Sequence, residues 1–235
     1  MKVSKDESLT RPYVLEPEDI QRIYQALTSF TNRITFTLSC QDGFKREFSA
    51  LEDLIAFENS PTKNIKALGI NARSNDGTTY VWVRFDTDRL SNIRINIEGE
   101  EEIAAAINER LEERVSNMKP WYARMAQLGI WQIYLVIYTF LLVWFLVAYA
   151  TGKLRPPNSL SYVWPLLIGL LAGIVIGIIA NILDWLKRAL FPMGVFALGQ
   201  GAKRHKDKDL IRTTVIIGFL VSFVASVIVA LVFST

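Results

Sequence analysis

Five residues on separate stretches have the chemistry to hold an anion beside an aromatic ring: Lys45, Tyr80, Trp82, Arg84 and Arg94. Ammonium and guanidinium groups bind anionic oxygens through charge-assisted hydrogen bonds. Phenol and indole rings offer a face on which a base can stack. If the surrounding segments are neighbouring strands, the three cations can meet across a sheet. An exposed sheet face of mixed charge explains the same residues more plainly. Catalysis has no comparable foothold. The chain contains no phosphate loop, no nucleophile elbow and no Ser/His/Asp set. One histidine, His205, and one cysteine, Cys40, leave no His/Cys set for a metal. The acids Glu98, Glu100, Glu101 and Glu102 read either as a cation site or as a solvated helix start favoured by the dipole. We therefore expect no catalytic residues, no metal, no cofactor and no enzymatic activity.

A second group of residues has chemistry only in an apolar setting. Gly169, Gly173 and Gly177 recur every four positions and are followed by Asn181. Thr214, Gly218, Ser222, Ser226 and Ala230 repeat the spacing further on. Small residues at this interval let helix backbones approach closely. They predict tight packing, either of the two stripes with each other or between subunits. Asn181 and Asp184 mark an ion path or an interhelical hydrogen bond, and Asp184 can pair with Lys187 or Arg188.

The elements that carry these residues follow from hydropathy and charge. Apolar residues make up 51% of the 235 and cluster after Gly129. Runs at 129–149, 162–183 and 215–233 are each about 20 residues, the length a helix needs to cross a hydrocarbon core of about 30 Å. Residues 1–120 carry 16 Lys and Arg against 20 Asp and Glu, net −4, whereas residues 121–235 carry 10 against 3, net +7. The basic excess sits between the second and third runs, at Lys187, Arg188, Lys203, Arg204, Lys206, Lys208 and Arg212. Only Lys153 and Arg155 lie between the first two. The positive-inside rule then places the N-terminal domain in the cytoplasm and the C-terminus outside. The first residues lack the apolar core of a signal peptide. Trp121, Tyr122 and Trp131 suit an inner aromatic belt, Tyr149, Tyr162 and Trp164 an outer one, with the first span facing lipid.

Between the last two runs lies FPMGVFALGQG, followed by a basic stretch. Pro192 stops the preceding helix near Leu190. Met193, Val195, Phe196 and Leu198 form a strip too short to span, expected to lie in the headgroup boundary. We read residues 191–212 as this interfacial elbow plus a basic loop. Phe191, Pro192, Phe196, Lys203 and Arg204 are its candidate coupling residues, with the N-terminal domain resting against it. An ordinary greasy loop is the alternative.

Residues 1–120 read as one α+β domain, with 121–235 as an all-α membrane domain. PEDIQRIYQALTSF has helical spacing, and RITFTLSC, KREFS, 65–73, TYVWVRFD and NIRINIE read as strands joined by Asp42-Gly43 and Asn75-Asp76-Gly77 turns. Ser49 and Glu52 suggest a capping box for a short helix. A last helix from Glu100 is expected to run toward the membrane, kinked at Pro120. The expected fold is an antiparallel sheet of about five strands with helices on one face, then three transmembrane helices.

This order of domain, spans and elbow resembles small bacterial anti-phage transmembrane effectors, those of the Hailong type in particular, in architecture along the whole chain and in the FPMGVFALGQG segment. The resemblance implies an oligomeric inner-membrane pore or channel, gated through its cytosolic domain by a nucleotide or oligonucleotide ligand. The alternative is a membrane-anchored scaffold whose domain recruits a cytosolic protein partner. Membrane lipid and further copies of the chain are partners in the first reading.

Overall fold

The computed structural model describes residues 1–31, 33–87, 91–151 and 163–233. The expected outer aromatic belt and Lys153, Arg155, Ala230 and the Ser234–Thr235 tail lie, wholly or in their side chains, outside the described residues.

Six strands form one antiparallel sheet in the order β1-β7-β6-β5-β3-β4. They are β1 (Lys2–Leu9), β3 (Arg33–Cys40), β4 (Lys45–Phe48), β5 (Ile65–Arg73), β6 (Tyr80–Asp86) and β7 (Ile93–Glu100). Two short strands lie outside that sheet, β2 (Tyr13–Leu15) and β8 (Gly194–Phe196). Alternation fixes which side chains point inward. Phe36, Leu38, Leu68, Ile70, Val83, Phe85 and Ile95 are fully or almost fully buried. Helices α1 (Pro17–Thr28), through Ile20, Ile23 and Leu27, and α3 (Glu101–Asn117), through Ile107 and Leu111, complete that core. Pro17 opens α1, and the Asp19 carboxylate accepts the Glu16 N–H at 3.1 Å, closing a capping box. Cys40 is buried at the sheet's inner face, and burial pushes its thiol pKa up, which keeps it unreactive.

Three expectations need correction here. The sheet has six strands, because the charged segment Lys2–Leu9 pairs with β7 along its whole length. It escaped the pattern because a solvated edge strand needs few apolar residues and is protected by charge. Helix α2 (Leu51–Ile55) has Ala50, which offers no side-chain cap, at its N-cap position, so Ser49 does not act as its N-cap. Helix α3 runs on through Arg114 to Asn117 as expected, but it ends before Pro120 instead of kinking there; a turn and the short α4 (Ala123–Gln127) follow it.

Three long helices follow: α5 (Ile130–Ala150), α6 (Val163–Leu190) and α7 (Gln200–Phe233). Each is long and apolar enough to cross a membrane. The stretch expected as a basic loop is helical from Gln200 and continuous with the third apolar run. At 34 residues α7 is about 51 Å long, roughly 20 Å more than a hydrocarbon core requires. The chain divides into two compact units, Met1–Ala123 with Pro192–Thr235, and Arg124–Phe191.

Candidate functional site

The face of the sheet opposite α1 and α3 collects the five residues singled out for anion binding. Strand register places Thr37, Gly69, Arg84 and Arg94 in one row across β3, β5, β6 and β7. Lys45 lies opposite Ser39, one row away, and Trp82 lies between Asn71 and Asn96 in the other direction. Lys45, Trp82 and Arg84 line a hollow of about 140 Å³ floored by Ala67 and Gly69. Arg94 stands directly across from Arg84, outside the hollow's lining, and Tyr80 is further along β6, where its hydroxyl donates to Asn71 Oδ1 at 3.2 Å. Directly opposed cations repel. Here Arg84 turns to Asp86 at 3.0 Å and Arg94 donates to Ser91 Oγ from Nε at 2.9 Å. Two guanidiniums beside an indole suit a ligand with one anionic and one flat aromatic part.

The elbow departs from its expected place. Met193 and Phe196 are nearly buried, and Leu198 is 0% exposed, inside the protein core rather than open to headgroups. The cause is backbone pairing. β8 lies parallel to β2, with Val14 opposite Val195, and Tyr13 N–H and Ala197 N–H donate to Met193 O and Leu15 O at 3.0 and 2.9 Å. Two buried asparagines lock the segment further. Asn59 donates from Nδ2 to Phe196 O at 3.0 Å and to Leu198 O at 3.2 Å, while its Oδ1 accepts from Ile65 N–H at 3.0 Å. Asn92 donates to Met193 O at 3.3 Å and accepts from Arg11 N–H at 3.0 Å. Tyr13 donates its hydroxyl to Asp86 O at 2.9 Å; burial, and then the Asp86 charge, pushes its pKa well up, so it stays a neutral donor. Of the named coupling residues, Pro192 and Phe196 belong to this junction, Arg204 donates to Asn64 Oδ1 at 3.0 Å, and Lys203 is exposed. Phe191 closes the other unit, its N–H donating to Lys187 O.

Sequence reasoning missed Asn59, Asn92 and Tyr13, each of which has a partner in residues 193–198, more than 100 positions away. It also placed Trp121 and Tyr122 in an inner aromatic belt. Tyr122 is instead buried, with the Arg212 guanidinium 4.4 Å from its ring centre, whereas Trp121 stays exposed and its Nε1 donates to Asp209 Oδ1 at 2.9 Å. The available signal for Asn59 is its residue type. Asparagine is enriched in the left-handed region, and Asn59 has φ +47°.

Within the second unit, the glycine stripe of α6 meets α5. The Tyr134 hydroxyl donates to Gly173 O at 3.4 Å, and Tyr134 and Tyr138 stack with ring centres 5.9 Å apart. These tyrosines thus face α6, while Trp131 and Trp144 on the same helix remain exposed. Asn181 is satisfied within its own helix by Gly177 O, and Asp184 pairs with Arg188. A Cβ on Gly173 would come within 3.0 Å of the Tyr138 ring. Gly173→Leu is therefore expected to force α5 and α6 apart and lower stability by about 2 kcal/mol, as overpacking does. Gly169→Leu, whose Cβ would meet nothing within 4 Å, serves as the control. Equal melting temperatures for the two variants in detergent would count against this packing. On α7, an added Cβ at Gly218 also meets nothing within 4 Å, and Ser222 and Ser226 return their hydroxyls to Gly218 O and Ser222 O.

Comparison with family models, with curated proteins and with solved structures returns no match for this chain. Its class therefore rests on its own geometry. It joins a six-stranded antiparallel α+β domain to three helices of membrane-crossing length and apolarity. Among the described residues, no three His, Cys, Asp or Glu side chains converge as a metal site.

Proposed function

We propose that this chain is a non-enzymatic, oligomeric pore of a bacterial inner membrane, opened or closed through its cytoplasmic sheet domain by a nucleotide-derived ligand. The observation that carries the reading is the junction just before α7: β8 pairs with β2 and the buried Asn59 holds Phe196 O and Leu198 O, so that the chain from Pro192 falls in one compact unit with the sheet domain. A ligand that shifts β5 or β6 therefore acts on the start of α7 through short, buried hydrogen bonds instead of a slack tether. The Lys45–Trp82–Arg84 hollow, with Arg94 beside it, is the ligand's place in this reading. The small-residue stripe of α7, open at Gly218, supplies the contact between subunits. The charges at Lys187, Arg188 and the first turns of α7 keep both soluble segments on the cytoplasmic side and the C-terminus outside. The resemblance to anti-phage effectors agrees with this assignment, with toxicity to the infected cell as the output.

Ion flux from liposomes containing the purified full-length protein tests it. Wild type should release a trapped dye or ion, and a panel of mononucleotides, cyclic nucleotides and short oligonucleotides should contain one that changes the rate. Trp82→Ala should abolish that response while leaving basal flux unchanged. No flux under any condition, together with nucleotide binding, overturns the pore and leaves the anchored scaffold with a cytosolic protein partner. A reporter that matures only in the cytoplasm, fused after Thr235, should stay dark; activity reverses the orientation.

A further inference from the structure

We infer that the first turns of α7 and the adjoining end of the sheet form a phosphate-binding pocket, distinct from the open sheet face and independent of whether the chain conducts. A cavity of about 220 Å³ is walled by β8, by Asn64, Ile65 and Thr87 from the sheet domain, and by α7. The helix contributes Arg204, His205, Lys208 and Arg212, positions i, i+1, i+4 and i+8, which share one side of an α-helix. None of the residues lining it is an acid.

The basic groups are positioned rather than merely abundant. Arg204 is held through Nη2 by Asn64 Oδ1 at 3.0 Å, while its Nη1 is buried and meets no hydrogen-bond partner among the described residues. His205 Nδ1 is likewise buried without one. Arg212 is 0% exposed, fixed over the Tyr122 ring and 3.4 Å from Asp209. Lys208 is exposed, so its ammonium is available at the mouth. Cations gathered at a partly desolvated cavity are costly unless an anion joins them. A tetrahedral phosphate presents acceptor oxygens in three dimensions, unlike a halide or the two coplanar oxygens of a carboxylate, and the Thr87 hydroxyl adds a neutral donor. Arg204 lies 11 residues before Val215, where the apolar run begins, about 16 Å along the helix. That depth is within reach of both an anionic lipid headgroup and a soluble phosphate. The two share the chemistry that the pocket recognises.

The experiment uses full-length protein in neutral detergent, with two arms. Titration calorimetry with inorganic pyrophosphate reads the soluble source. Native mass spectrometry after adding phosphatidylglycerol or phosphatidylcholine reads the lipid source. Binding of pyrophosphate, or retention of phosphatidylglycerol over phosphatidylcholine, is expected in wild type. Lys208→Gln should weaken whichever binds about fivefold, the loss of one cation near the ligand. Lys206→Gln, on the same helix but outside the cavity lining, should leave it unchanged. Pyrophosphate binding alone names a soluble ligand, lipid retention alone names a headgroup, and displacement of lipid by pyrophosphate shows that they compete. If neither binds, or if Lys206→Gln weakens binding as much as Lys208→Gln, the pocket is only part of a diffuse basic surface and the inference is wrong. The readout does not involve flux, so its failure leaves the pore question untouched.

Discussion

Asn59→Ala should be among the most damaging single substitutions in the sheet domain, lowering stability by about 3–5 kcal/mol and the melting temperature by roughly 10 °C. Asn59 is 0% exposed, and its side chain serves three backbone groups: Phe196 O, Leu198 O and Ile65 N–H. Alanine leaves Phe196 O and Ile65 N–H without that partner in a place water reaches poorly, while Leu198 O keeps the Gly201 N–H at 2.8 Å; each buried orphan costs about 1–3 kcal/mol. The backbone adds to the loss, since φ +47° suits asparagine better than alanine. Asn59→Asp distinguishes hydrogen bonding from conformation. It keeps the left-handed preference and the acceptor for Ile65, but turns an oxygen toward the two carbonyls that Nδ2 now serves. It should be nearly as harmful as Asn59→Ala. Thermal unfolding of the purified protein, with proteolysis mapped across 192–201, gives the answer. A variant with wild-type melting and an uncut elbow shows that β2–β8 pairing alone holds the junction.

Gly199→Val is the second large effect, expected near 4 kcal/mol and sufficient to detach the start of α7. Gly199 has φ +48°, a region that β-branched residues enter only under strain. Space is a separate obstacle. A Cβ there would run into the carbonyl oxygens of Phe57 and Glu58, both backbone atoms. Neither can move cheaply, because Glu58 O already accepts the Gln200 N–H at 2.8 Å and the next residue is the buried Asn59. The loss falls on the junction and not on the sheet, so Gly199→Val should expose 192–201 to protease while the sheet's circular dichroism persists. Wild-type resistance to protease in this variant would show that the turn tolerates a side chain by an alternative path. In the proposed pore, both Asn59→Ala and Gly199→Val should also uncouple nucleotide binding from flux.

The open sheet face and the junction differ in how legible they are. Lys45, Tyr80, Trp82, Arg84 and Arg94 could be grouped in advance, because strand alternation and hairpin turns are local rules that place side chains on a face. Their separation could not: register alone decides that Arg94 opposes Arg84 and that Tyr80 stands further along β6, outside the hollow. The elbow was recognised by the right residues and expected against the N-terminal domain, where it lies, but its apolar strip was placed at a headgroup boundary instead of in the protein core. Met193, Phe196 and Leu198 are apolar enough for a headgroup boundary or for a protein core, and composition does not choose between them.

Local pattern was sufficient wherever a segment's own periodicity or length constrains it. Strands β3 and β5 fall where alternation in RITFTLSC and in 65–73 places them, and the three apolar runs became long helices because about 20 such residues form little else. Pro192 ends α6 at Leu190 for a reason contained in its own ring, which cannot donate a hydrogen bond. Tertiary structure decided the remainder. β2 and β8 have three residues each and no period to read, and they exist because Tyr13–Leu15 and Gly194–Phe196 satisfy each other's backbone across some 180 positions. The charged turns before the third apolar run are helical, and Arg204 and Arg212 are held by Asn64 and Tyr122 from distant parts of the chain. A buried polar group must find its partner wherever the fold brings one, and that search runs over space, to which the order of residues along the chain is no guide.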